Sequence, residues 1–189
     1  MSEAIKPIRR VVTGHDAQGR SCVLYDSAAP GVRVNQFKKG TGMTDIWVWD
    51  ACPTHISGSE DLGNLPFHFE PPQSGGRVRV VESASKPNDY DVKSDTFITA
   101  EHPPKKTEGG TWERGKQNVF TTRIHRSETV DYGIVLTGER ILVTDQDERT
   151  LLPGDVVIQV GSWHAWKDLV GSQMAFVMMA GNFDEEAPR

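Results

Sequence analysis

His125-Arg126-Ser127-Glu128-Thr129-Val130-Asp131 is the most informative run in this chain. Gly138 comes seven residues after Asp131, then Pro153-Gly154-Asp155, then Gly161-Ser162-Trp163-His164. In an extended segment His125 and Ser127 share one face, whereas Glu128 is aimed at the other. The surrounding chain reads as short strands. Val119–Ile124 and Tyr132–Leu136 are predicted strands, the second ending at Thr137-Gly138-Glu139. Arg140–Thr144 and Thr150–Leu152 flank the turn Asp145-Gln146-Asp147, and Val156–Gln159 and Gln173–Met179 complete the set. Regularly spaced strands broken by turn residues indicate a β-sandwich or barrel.

Upstream, strands are predicted at Arg9–Thr13 and Ser21–Tyr25, joined by His15-Asp16-Ala17-Gln18-Gly19. Asp and Gly tolerate the backbone angles of a tight turn, so this pair reads as a hairpin. Val32–Phe37 and Thr44–Trp49 come next, with Trp47 and Trp49 on one face and expected in the core. Pro53–Gln73 is a long connection, and Arg77–Glu82 alternates Arg and Val as a half-buried strand does. Residues 83–117 are rich in Lys, Glu, Pro, Gly and Asp and read as a surface insertion, with a short strand at Thr96–Thr99. The whole chain reads as one domain: N-terminal strands over 9–82, the insertion, and a barrel core over about 118–181.

The segments His125–Gly138 and Pro153–His164 resemble the paired motifs of the cupin superfamily. The first motif runs His-x-His, three or four residues, Glu, six residues, Gly. The second runs Gly, several residues, Pro-x-Gly, two residues, His, three residues, Asn. His125 stands at the first histidine and His164 at the histidine of the second motif. Ser127 stands at the second histidine, Asp131 at the glutamate, Gln159 one residue early for the motif proline, and Asp168 at the terminal asparagine. The resemblance implies an all-β, cupin-type double-stranded β-helix, a jelly-roll barrel with an N-terminal β extension. It is strongest toward a small bacterial and fungal subgroup, some of whose fungal members are described as oxidoreductases.

A complete site in that family places three His and one Glu around a divalent metal. On this chain the resemblance leaves His125, Asp131 and His164 as catalytic and metal-binding candidates. Two imidazoles and a carboxylate form a facial set suited to Fe, with Mn, Ni or Zn as other occupants. Ser127 is placed to hold a water or substrate oxygen. Trp163 and Trp166 bracket His164 and offer an aromatic wall, and Tyr132 offers a hydroxyl, so these four are ligand-binding candidates. Barrel packing is the alternative reading for these aromatics. His15, His55, His68 and His102 lie in turn or loop contexts and are weaker candidates.

Composition narrows the function classes. The 189 residues carry 21 basic and 26 acidic side chains, a net charge of −5, so no basic footprint for nucleic acid is expected. No apolar run is long enough to span a bilayer and no signal-peptide pattern opens the chain, so a cytoplasmic location is expected. Cys22 and Cys52 have no metal-like spacing and read as free, at least partly buried thiols. Three functions stay open: a metal-dependent enzyme on a small aromatic or carboxylate substrate, resembling an oxidoreductase; a metal-free isomerase, dehydratase or decarboxylase using a His/Asp pair; and a non-catalytic small-molecule binder. A homodimer that covers an edge strand is expected.

Overall fold

A computed structural model describes residues 5–36, 38–56, 58–95, 98–118 and 120–184. In chain order its strands are β1 Arg9–His15, β2 Ser21–Ala28, β3 Gly31–Val34, β4 Gly42–Trp49, β5 Gly76–Ser83, β6 His102–Lys106 and β7 Trp112–Gly115. They continue with β8 Ile124–Arg126, β9 Thr129–Gly138, β10 Arg140–Val143, β11 Glu148–Leu151, β12 Val156–Val160, β13 Ala165–Lys167 and β14 Ser172–Ala180. One turn of 3-10 helix lies at Val92–Ser94. No described helix is long and apolar enough to cross a membrane.

One wall is a six-stranded antiparallel sheet in the order β12-β9-β14-β5-β4-β3. The other begins with β11-β10-β13 and continues onto β8 through the bridge His125↔His164. β8 pairs with β7, and β7 with β6. These two facing walls make the jelly-roll barrel. On β9 and β14, alternate residues are buried, so Val135, Met174, Phe176 and Met178 point inward and pack with Trp166 of β13. Each such side chain contributes roughly 1.5–3 kcal/mol by leaving water. Gly133 shares the inward face of β9 because a Cβ there would meet Phe176 at 2.8 Å and Val157 at 2.9 Å.

Gly138 ends β9 with φ +74°, and a Cβ there would sit 1.8 Å from the Gly171 carbonyl oxygen. Only glycine satisfies both conditions. The N-terminal hairpin β1–β2 forms a separate two-stranded sheet, its turn held by Asp16, whose Oδ1 accepts from the Gln18 and Arg20 amides.

Several expectations are corrected. Of the strand expected at Val119–Ile124, Val119 lies outside the described residues, Phe120–Arg123 is not a strand, with Thr121 in isolated bridges to Asn118 and Lys167, and regular pairing begins only at Ile124. The strand expected at Val32–Phe37 ends at Val34, and Phe37 is likewise outside them. Of the strand expected at Thr96–Thr99, Thr96 and Phe97 lie outside the described residues and Ile98 and Thr99 are irregular. Trp47 and Trp49 are half-buried, because a register shift between Asp45 and Trp47 leaves Val48 as the buried residue. Both cysteines are free, but Cys52 is exposed. Within residues 83–117, the β6–β7 hairpin adds to the wall that carries β8, so part of this polar stretch is built into the barrel.

Candidate functional site

The chain places two histidines side by side by direct backbone pairing. The His125 amide donates to the His164 carbonyl at 2.8 Å and the His164 amide returns the bond at 2.9 Å. Their rings stand 4.3 Å apart, tilted by 54°. The His125 Nδ1 lies 2.8 Å from the Arg123 carbonyl oxygen, and the His164 Nδ1 lies 2.9 Å from that of Ser162. A carbonyl only accepts, so both Nδ1 atoms carry hydrogen and each neutral ring keeps its lone pair on Nε2. Burial pushes both imidazoles below their ordinary pKa. His164, 5% exposed, falls to about 3, with His125 adding to the effect.

Asp131 comes from the facing sheet. It lies mid-strand on β9, opposite Gln159 of β12 and Met178 of β14. It is 7% exposed, and its Oδ1 has no hydrogen-bond partner. Burial raises its pKa to about 6; the Thr129 hydroxyl opposes the rise and the charge of Glu70 adds to it. Gln159, also buried, has an unpartnered Nε2. Asp131 and Gln159 are register partners on β9 and β12, so an unpartnered acceptor and an unpartnered donor lie on neighbouring strands of a cavity of about 370 Å³ that both residues line. Buried polar groups are rarely left unpaired, and such a pair marks a place where water or a ligand binds.

His125, Ser127, Asp131, His164 and Trp166 all line this cavity. Trp166 meets His164 and Phe176 edge-on, each at 5.8 Å between ring centroids. Two ligand-binding candidates do not join them. Tyr132 is 38% exposed on the outer face of β9, because strand alternation turns it away from its neighbour Asp131. Trp163 lies under the guanidinium groups of Arg114 and Arg126, at 4.7 and 4.9 Å, and does not line the cavity. Glu128 faces outward toward Lys106. His15, His55, His68 and His102 do not line the cavity.

Nothing in the sequence singles out Glu70. It lies between Phe69 and Pro71 in an irregular connection, with no spacing motif around it. Its Oε1 accepts from Ser127 Oγ at 2.9 Å and from the Thr111 hydroxyl. The loop is fixed by Arg77 and Arg79, both buried against Asp45 and donating to the carbonyls of His68, Phe69 and Glu70. The alternating Arg and Val of β5 thus places its arginines inside, because each guanidinium finds a carboxylate and backbone acceptors there.

Among the described residues no three His, Cys, Asp or Glu side chains come together as a metal-binding group. The two imidazoles are on one wall and the Asp131 carboxylate is on the facing one, and all three line the same cavity.

No family model matches the chain. A cupin-domain-containing oxidoreductase of Aspergillus ruber is 24% identical over 182 residues, covering 92% of this chain and 72% of the relative. Phomopsin biosynthesis cluster protein C′ of Diaporthe leptostromiformis is 26% identical over 174 residues, 88% of this chain and 74% of the relative. A cupin-domain-containing oxidoreductase of Hypocrea virens is 42% identical over 167 residues, 86% of this chain and 68% of the relative. Kinship at that identity, over most of both chains and on this barrel, is decisive: the chain belongs to the cupin superfamily.

Proposed function

We propose that this cupin is an enzyme that moves protons on a small organic molecule held between the two walls. Asp131 is the proton carrier, and His125 and His164 orient the substrate. The observation that carries this is the Asp131 carboxyl, buried, with one oxygen unpartnered and a pKa of about 6. A group titrating near neutrality donates and accepts a proton with little penalty either way. An imidazole with a pKa of about 3 does not carry protons at neutral pH. Its Nε2 accepts a hydrogen bond from a hydroxyl or amine of the substrate. Gln159 Nε2 supplies a donor beside Asp131 for a carbonyl or carboxylate oxygen. Kinship to proteins named oxidoreductases and biosynthesis-cluster proteins supports a small-molecule enzyme as the class.

A divalent metal such as Fe, Mn, Ni or Zn is the second reading. It is favoured by the two Nδ1–H···O=C bonds, which orient histidines as metal ligands are oriented. The described donors stop at these two imidazoles, short of the three or more that such an ion takes from a protein.

The outer face of β12 and β9 carries Tyr132, Leu136, Val156, Ile158 and Val160, the last 70% exposed, and β12 is an edge strand. This supports a homodimer formed by covering that apolar edge. Unpaired thiols suit a reducing compartment such as the cytosol.

The test is incubation in D₂O with the small-molecule extract of the host cell, read by mass spectrometry. Wild type is expected to put deuterium into, or convert, one compound, and Asp131→Asn to lose this. A ligand that raises the melting temperature but is neither labelled nor converted would make the chain a binding module instead. Equal labelling by Asp131→Asn would remove Asp131 from the chemistry.

A further inference from the structure

We propose that the barrel holds a second subsite, built by Lys38 and Arg140, that takes the carboxylate of a monoanionic organic acid. This deepens the small-molecule assignment above and rests on it. A second cavity, of about 730 Å³, adjoins the first, and Met43, Phe69, Val81 and Arg140 line both. Lys38, Arg140 and Asp168 line it as buried charges, Arg140 being 3% exposed. Lys38 Nζ lies 3.3 Å from Asp168 Oδ2, and Arg140 Nη1 lies 2.8 Å from Oδ1.

One carboxylate therefore serves two buried cations. Asp168 is the only acidic residue lining this cavity among the described residues, and the exposed Arg33 adds a third cation at its edge. The Arg140–Asp168 approach lacks hydrogen-bond alignment: Asp168 Oδ1 has no hydrogen-bond partner, while Nη1 donates to the Ser83 and Ser172 hydroxyls. Arg140 Nε also has none. Lys38 is held in place by Phe120, whose ring centroid is 4.4 Å from Nζ. Burial lowers the Lys38 pKa and Asp168 only opposes this in part.

A buried, uncompensated positive charge is costly, and a matching anion relieves it. The buried excess is a single charge, which fits a carboxylate better than a phosphate dianion. The shared wall of Met43, Phe69 and Val81 fits the apolar body of the acid. Its other end then reaches the cavity of His125, His164 and Asp131.

The test is calorimetric titration of the full chain with acetate, hexanoate and benzoate, each against its neutral amide, and with inorganic phosphate. At least one carboxylate is expected to bind about tenfold or more tighter than its amide. Lys38→Met should abolish that preference and leave the amide unaffected. Asp168→Asn removes the competing carboxylate and should tighten the acid, which decides the matter if Lys38→Met does not fold. Equal affinity for every acid and amide pair, an unchanged preference in Lys38→Met, weaker acid binding in Asp168→Asn, or phosphate binding as tightly as the best carboxylate would each overturn the proposal. These affinities are read without turnover, so they fail or stand separately from the labelling lost in Asp131→Asn.

Discussion

Replacing Asp131 by Asn should stabilise the protein at alkaline pH and leave it nearly unchanged in acid. The carboxyl is 7% exposed, and burial raises its pKa from 3.8 to about 6. A native pKa above the unfolded one means that the folded state holds the proton more tightly. That contribution is fully present below pH 3.8 and is lost as pH rises through about 6. Above pH 7 the native state carries a buried carboxylate at a cost of about 3 kcal/mol, from 1.36 kcal/mol per pH unit over a rise of about two. Asn keeps the shape and never ionises. Urea unfolding of wild type and Asp131→Asn at pH 4 and pH 8 measures the difference. The variant should gain up to about 3 kcal/mol at pH 8, roughly 6–12 °C in melting temperature for a chain of this size, and close to nothing at pH 4. A difference that stays flat between the two pH values, or a variant less stable at pH 8, would refute the assignment of a destabilising ionised carboxylate.

The same geometry sets three further outcomes. Imidazole ¹⁵N NMR at pH 8 should show the neutral rings of His125 and His164 in the Nδ1–H tautomer; an Nε2–H tautomer in either ring would contradict the bonds to Arg123 and Ser162. Glu70→Ala leaves the Ser127 and Thr111 hydroxyls without their acceptor and should cost about 1–3 kcal/mol in denaturant unfolding, with the Asp131 pKa falling as a like charge is removed. Gly138→Ala forces a side chain into positive φ and against the Gly171 carbonyl, so a loss of about 2 kcal/mol or more is expected; a loss under about 0.5 kcal/mol would mean that β9 does not end in this turn.

Those parts of the site that depend on local spacing are legible in the sequence. His125 and Ser127 share a face because alternate residues of an extended chain do, and both line the cavity. Gly138 is legible because a strand that must turn sharply needs a residue free of Cβ. Tyr132 and Trp163 depart from expectation: Tyr132 adjoins a site residue, and neighbours on a strand point in opposite directions, while Trp163 is drawn to two guanidinium groups that lie far off in sequence. Glu70, Lys38 and Arg140 reach the lumen through long-range packing. Lys38 meets Asp168 across 130 positions and Glu70 meets Ser127 across 57, distances over which composition carries no signal. Arg77–Glu82 reads as a half-buried strand, but nothing local shows that its arginines are the buried side; that depends on Asp45 of the neighbouring strand and the carbonyls of His68, Phe69 and Glu70.

The proposed chemistry needs an acid in this barrel that titrates where a cell can use it. Carboxyl ¹³C NMR of the Asp131 side chain, tracked from pH 3 to 9 in the wild-type protein, measures this without any substrate. A midpoint at about 6 is predicted. A midpoint near 4, where an ordinary aspartate titrates, would contradict it.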